Sequence, residues 1–443
     1  MSFQRPHGPR TFDRLALYGF RQYAFLDLDL RGDITVLTGA NGTGKTTILN
    51  ILSTHFDWPA DLIAAPGEKE IDQSDFPLDL RETNRRYVVT QTELSEDQRA
   101  FLDTHVDVAL NDPPSIEIGR LRYSDGATSS LRIAQRSSSI QYSILNPFRR
   151  SVDGLYLTSH RTLNSYKPIT TIPSRFVGPE LILKEYISEL RSLQVNRRTE
   201  KSPMFRLKEA LLAAAIYGEG NTSVRPNAEA KGIWSGFQEV LRILAPKHIG
   251  FNRLFAIPPE IMLDTETGTY PIDAISGGMH ALLDLAWQIF LLTYGADRFT
   301  VCIDEPENHL HPAMQRTLMP NLLKAFPNVK FIVATHSPFV VTASRDARVY
   351  VLDYGNDGLV YSSVLDFVNK AQSAEQTLTD VLGLSSTAPV WAEEEFNTLM
   401  SEFVNRPVSK ATIRELRTRL SEKGLANELP TALKIYLEGE DTT

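Results

Sequence analysis

The chain has 443 residues, with 46 Lys and Arg against 54 Asp and Glu, for a formal net charge of −8. Its 42% hydrophobic and 23% charged content is that of a soluble globular protein with ample core material, and the length suggests two or three domains or one with large insertions. The acidic total argues against whole-surface nucleic-acid binding. No run of about 18 or more apolar residues spans a membrane, the polar start MSFQRPHGPR carries no secretory signal, and the single Cys302 excludes a disulfide framework. A cytoplasmic protein is expected.

In chain order, 13–20 (DRLALYGF) and 22–30 (QYAFLDLDL) read as short strands, and 33–38 (DITVLT) as a buried strand stopping at Gly39. Lys45–Thr54 reads as a helix. Between about 85 and 150 come strand-like runs (YVVTQTEL, IEIGRLRY, SLRIAQ, IQYSIL), with SDGATS at 124–129 as a hairpin signal. GLYLT (154–158) is a further buried strand. Residues 179–245 are helical in pattern, broken by the polar stretch 218–232, which is expected to be a mobile loop. From 270 the pattern is α/β: a helix over 278–293, a strand over 299–303, a helix from Pro312 to Phe326 and a strand over 329–335. That succession implies a right-handed parallel crossover. VYVLDY–GNDG–LVYSSV predicts a late hairpin, and 371–443 reads as charged helices.

Gly39-Ala40-Asn41-Gly42-Thr43-Gly44-Lys45-Thr46 matches G-x-x-x-x-G-K-[ST], and lies between a predicted strand and a predicted helix, the context a P-loop requires. Its glycines let backbone N–H groups converge on phosphate oxygens at a helix N-terminus. Gly39, Asn41, Gly42, Thr43, Gly44, Lys45, Thr46 and Thr47 are therefore the expected nucleotide-binding residues. Lys45 would offset the β- and γ-phosphates, and Thr46 would offer its hydroxyl to Mg²⁺. Asp304 and Glu305 follow the apolar run Phe299–Ile303 at the strand end where α/β sheets bind ligands. Asp304 is the expected Mg²⁺ residue, and Glu305 is the expected base or orienter of the attacking water. His336 follows the next strand, where a neutral imidazole can meet the γ-phosphate or the water. Ser276-Gly277-Gly278 open a helix, with Ser276 as N-cap and glycines that allow close approach of a phosphate.

These four elements, in this order, resemble the ABC-type ATPases of the RecF/SMC/OLD-like group, over residues 13–60 and 270–355. The resemblance implies an α/β fold: an ABC-type P-loop core with an antiparallel β-lobe, a short helical insertion and a helical C-terminal region. The expected division is 1–84 for the N-terminal ATPase part with the P-loop, 85–175 for the lobe and a core strand, and 176–250 for the insertion. Residues 251–370 would then be the C-terminal ATPase part, and 371–443 the helical region. The resemblance also implies ATP sandwiched between two copies, the second copy's Ser276, Gly277 and Gly278 completing the site. Met279 departs from the family's polar residue at that position, and Pro306–Pro312 looks like the group's D-loop. The chain is too short between Gly39 and Ser276 for the coiled-coil arms of SMC proteins, and 371–443 has no Asp-x-Asp of a Toprim nuclease. The arrangement resembles the ATPase subunit of two-gene anti-phage defence systems, such as PARIS, whose ATPase holds a Toprim effector. The function this implies is an ATP-hydrolysing sensor or scaffold with a separate effector and a nucleic-acid or protein trigger. A RecF-like DNA repair ATPase is the alternative, and a transporter ATPase subunit a more distant one.

Other signals are smaller. Gln73, Gln91 and Ser159-His160-Arg161 are rival candidates for a glutamine-loop role. Arg191, Arg197, Arg198, Lys201, Arg206 and Lys208 form the densest basic run, read as a solvated helix face, with a nucleic-acid or acidic-protein contact as the alternative. Cys302 is expected in the core. His309 and His311 lack the partners of a zinc site, and Glu393-Glu394-Glu395 reads as a solvated helix start.

Overall fold

The computed structural model of the chain describes residues 10–56, 58, 62–63, 94–104, 115–134, 141–159, 166–194, 201–220, 222–294, 298–365, 373–382, 389–403, 406–407 and 409–438. Two compact units divide between Ala374 and Glu375. The first is built on a sheet of ten strands among the described residues, in the order β6-β5-β1-β2-β15-β14-β3-β13-β12-β8. Its strands are β1 (Phe12–Phe20), β2 (Tyr23–Asp29), β3 (Ile34–Gly39), β5 (Ser115–Tyr123), β6 (Thr128–Ala134), β8 (Gly154–Leu157), β12 (Phe299–Asp304), β13 (Val329–Ala334), β14 (Arg348–Tyr354) and β15 (Val360–Val364).

Five of these, β8, β12, β13, β3 and β14, run parallel. β3, β12 and β13 are buried along their whole length, as apolar runs covered on both faces must be. Helix α1 (Lys45–Ser53) lies on β3, β13, β12 and β8, and packs Ile48, Leu49, Ile51 and Leu52 into the main core. Register then sets the site: Ala334 sits level with Asp304 on one side and with Leu37 on the other. The residues after β3, β12 and β13 therefore emerge side by side at the carboxyl ends of neighbouring strands.

On the other flank β15 pairs antiparallel with β14 and parallel with β2, which carries the sheet into the antiparallel group β2, β1, β5, β6. The first two strands of the chain thus belong with β5 and β6. β4 (Leu62–Ile63) and β7 (Gln141–Tyr142) make a separate two-stranded sheet. The expected strand YVVTQTEL lies almost wholly outside the described residues; α2 (Glu96–Asp103) follows, with a capping box at Ser95 and Gln98.

The insertion holds α3 (Pro179–Gln194), α4 (Pro203–Gly218) and α5 (Ala228–Leu244). Asn227 caps α5 by accepting from the Glu229 and Ala230 amides, so 228–232 is helix and the connecting segment is shorter than the sequence suggests. A three-stranded sheet that the sequence does not predict follows: β9 (Phe251–Ile257), β10 (Glu260–Thr265) and β11 (Gly268–Pro271). It leads into α6 (Gly277–Thr293), whose Trp287 is fully buried against Phe237. α6 is apolar around its circumference because β8, α3 and α5 pack around it. α7 (Pro312–Ala325) and α8 (Pro338–Val341) complete the unit. The second unit, from Glu375, contains α9 (Ala374–Asp380) at its start, then α10 (Val390–Phe403), α11 (Lys410–Glu422) and α12 (Leu429–Glu438), with its own core around Leu399, Phe403, Leu416, Leu420 and Tyr436. Among the described residues no helix is long and apolar enough to cross a membrane.

Candidate nucleotide site

The loop between β3 and α1 is held in a shape only glycine allows. Gly39, Gly42 and Gly44 have φ of 132°, 82° and 92°. A Cβ on Gly39 would overlap the Leu352 carbonyl of β14, and one on Gly44 would overlap the Tyr23 hydroxyl. Tyr23 donates to the Gly44 carbonyl (2.6 Å) and Gln22 Nε2 to the Gly42 carbonyl (3.0 Å), so the β1–β2 turn props the loop from outside. Thr43 Oγ1 donates back to the Ala40 carbonyl (3.0 Å), Thr47 hydrogen-bonds the Tyr23 phenol, and Asn41 is exposed.

Lys45 is buried, and its ammonium donates to the Gly39 (3.0 Å) and Ala40 (2.8 Å) carbonyls. Burial lowers its pKa to about 8, against the opposing pull of Asp304, Glu305 and Glu307. Thr46 Oγ1 donates to Asp304 Oδ2 at 3.0 Å. Glu305 takes a left-handed φ of 47°, which costs a non-glycine residue about 1 kcal/mol. Its amide donates to the Ala334 carbonyl (2.8 Å), and its carboxylate accepts from Asn308 Nδ2 (2.9 Å). Burial first, then Lys45, lowers the pKa of His336, with Glu305 opposing; the imidazole is neutral at pH 7.

Two family models match the chain: "AAA domain" over residues 14–199, and "AAA domain, putative AbiEii toxin, Type IV TA system" over 258–342. The first spans the P-loop, and the second spans Ser276, Asp304, Glu305 and His336. Both descriptions are of an AAA domain, and the chain carries the site of a P-loop ATPase. The ATPase is 23% identical to "Retron Vc95 probable ATPase" of Vibrio cholerae, over 76% of this chain and 73% of that protein. It is 28% identical to "Septu protein PtuA" of Bacillus mycoides over 34% of this chain, and the match spans 22% of that protein's length. Among solved structures it is similar to the SMC head domain from Thermotoga maritima, at 13% identity and a TM-score of 0.39, over 80% of this chain and 99% of that one.

The structure brings together the P-loop residues, Asp304, Glu305 and His336. Among the described residues no hydrogen bond joins Ser276, Gly277 or Gly278 to the P-loop. Ser276 Oγ accepts from the Met279 amide (3.4 Å), the expected N-cap of α6. Gly278 has a reason within its own chain: a Cβ there would come 2.9 Å from the His309 carbonyl oxygen. His311 caps α7 through Nδ1, and Cys302 is fully buried, its thiol pKa pushed up by desolvation.

The basic run is corrected. Lys208 is fully buried, bonded to Asp273 (2.6 Å), Glu260 (3.3 Å) and the Lys167 carbonyl (2.9 Å). Breaking such a buried pair by removing one partner costs about 3–5 kcal/mol. Arg206 pairs with Glu185 and Glu189, Lys201 with Glu209, and Arg191 lies over Trp58. Ion pairing and packing, within the insertion and against its neighbours, engage these four charges. Arg197 and Arg198 lie outside the described residues, as do Gln73, Gln91, His160 and Arg161. Ser159 is described, and its carbonyl accepts from Asn308 Nδ2 at 3.0 Å. Gln22 and Tyr23 are residues of the candidate site that sequence reasoning missed, and Glu307 and Asn308 were read only as part of a D-loop-like stretch; a third acid, three positions after Asp304, was the available signal.

Proposed function

We propose that this ATPase is the ATP-driven sensor or scaffold of an anti-phage defence system and controls a separate effector, of which a Toprim nuclease is the best candidate. The observation that carries the reading is that the P-loop lies beside Asp304, Glu305 and His336, while the described residues of the helical insertion and the second helical unit contribute none of these groups. The likeness to a retron ATPase and to the Septu protein PtuA supports the setting. The rival DNA-repair reading loses four of the six charges of the densest basic run, Arg191, Lys201, Arg206 and Lys208.

In the proposed reaction Lys45 exchanges the Gly39 and Ala40 carbonyls for the β- and γ-phosphates, while the P-loop amides take the remaining oxygens. Thr46 Oγ1 and Asp304 Oδ2 form a hard-oxygen pair at 3.0 Å that suits Mg²⁺. Bound there, Mg²⁺ would supply charge neutralisation on the phosphates. Glu305, steadied by Asn308, takes a proton from water as the water attacks the γ-phosphorus and ADP leaves. Neutral His336 hydrogen-bonds the γ-phosphate or that water.

The site is read as shared between two copies, with Ser276, Gly277 and Gly278 of one facing the P-loop of the other. Lys45→Ala and Ser276→Arg chains are each expected to be inactive. Mixed, they form dimers with one doubly damaged site and one intact site, and activity returns. Heterodimers without recovered ATPase activity would show the site to be complete in one chain.

The output is tested on the purified chain. It is expected to hydrolyse ATP and leave DNA and RNA uncut in Mg²⁺ or Mn²⁺. Cleavage that disappears on mutating residues of this chain outside the ATP site would overturn the separate-effector reading.

A further inference from the structure

The segment after Glu305 carries an acid for which the reaction above has no use. Glu307 Oε1 accepts hydrogen bonds from three consecutive residues of the loop after β13: Thr335 Oγ1 (2.7 Å), the His336 amide (3.0 Å) and the Ser337 amide (3.1 Å). Ser337 is tied further. Its amide also donates to Thr335 Oγ1 (2.9 Å), and its hydroxyl donates to Gln315 Oε1 of α7 (2.7 Å) while capping α8. The backbone at His336 is therefore fixed from the Glu307 side, while its imidazole makes no hydrogen bond with the described residues. Glu307 Oε2 is buried with no hydrogen-bond partner among those residues, and burial raises the carboxyl pKa. A carboxylate is an expensive group to keep there for packing alone. Its charge is felt by Lys45, and it feels that of Glu305.

We propose that Glu307 is a positioning residue for hydrolysis, holding the His336 loop where its imidazole can work with Glu305. The proposal rests on the reading of His336 as the group that contacts the γ-phosphate or the attacking water. Glu307 also lies between two contacts of its own segment: Asn308 holds Glu305, and the His309 carbonyl lies against Gly278 at the start of α6. A shift of α6 when two copies close would press on the His309 carbonyl and so reach His336 through the short segment that carries Glu307.

The test is steady-state kinetics, nucleotide binding and thermal melting of the full chain carrying Glu307→Ala, Glu307→Gln, His336→Ala, or Glu307→Ala with His336→Ala. Glu307→Ala is expected to lower kcat about 10²-fold, the scale of a misplaced catalytic group. Nucleotide Kd should stay within about threefold, because the P-loop and Lys45 supply most of the binding. Glu307→Gln keeps an acceptor oxygen and should recover most of the turnover. The double variant should be no slower than His336→Ala alone, since the two act as one unit. Unchanged kcat in Glu307→Ala, losses that multiply in the double variant, or a fall in melting temperature and nucleotide binding that accounts for the lost activity would each overturn the proposal. A neutral His336→Ala would sink the His336 reading and this one together; a slow His336→Ala with multiplying losses would remove Glu307 alone.

Discussion

Lys45→Ala is expected to weaken ATP binding at least about 10²-fold, since it deletes a charged donor whose bonds to phosphate are each worth about 1.5–3 kcal/mol. The lysine is pre-placed: its ammonium already sits on the Gly39 and Ala40 carbonyls, so little reorganisation precedes its transfer to the phosphates. The same geometry gives a pH signature. In the free protein the Lys45 pKa is about 8, below the ordinary lysine value, so the ammonium dominates at pH 7 and is lost as pH rises through 8. Bound phosphates require the charged form. Above pH 8, wild-type affinity should therefore fall by up to about tenfold per pH unit, while the Lys45→Ala protein shows no such slope. Binding titrations at pH 7 and pH 9 on proteins of matched melting temperature decide the matter. Wild-type affinity in a folded Lys45→Ala protein would sink the phosphate-binding role.

Glu305→Gln should leave ATP binding intact and lower turnover by about 10²–10⁴-fold, the usual contribution of a general base. The amide has the carboxylate's shape, and its oxygen can still accept from Asn308 Nδ2, so the left-handed backbone at this position keeps its support. What is lost is a site for the proton of the attacking water. ATP should persist on the protein, and with it the closed pair of chains; filtration of protein-bound nucleotide after a single turnover reads both. Undiminished turnover would assign the proton to another group.

The elements of the candidate site were legible in the sequence because each is local. Gly39, Gly42 and Gly44 stand where the backbone needs positive φ, and Asp304 and Glu305 end an apolar run that has to be a buried strand. Ser276 announces its helix as a single-residue cap. Glu307 and Asn308 were read only as part of a D-loop-like stretch, because their partners lie 28 to 30 residues later and 149 residues earlier. The side chains of such residues are explained by strand adjacency, which a linear pattern does not display. The basic run misled for a related reason: Lys208 looks like any surface lysine until Glu260 of β10 and Asp273 after β11 arrive beside it. The small sheet β9–β11 escaped because its outer positions are mixed, with Arg253 and Asp264 opposite one another beside half-buried Phe255 and Met262, so the alternation is blurred. β1 and β2 were recognised as strands, but their union with β5 and β6 depends on pairings across about a hundred residues.

The position of β3 has a consequence for biosynthesis. The strand that ends in the P-loop is made early, yet both its neighbours, β13 and β14, are made late; Thr38 bonds to Thr335 across 297 residues. At a ribosomal rate of about 5–20 residues per second, the nascent chain carries the phosphate-binding motif for roughly 15–60 s before the strands that shape it exist. Gly39 cannot take its final conformation until Leu352 is in place, and Asp304 arrives only shortly before. A chain interrupted anywhere in that interval holds the full motif and no organised pocket. A prematurely terminated copy would therefore sequester no nucleotide, and an organised phosphate pocket is withheld until translation is nearly complete.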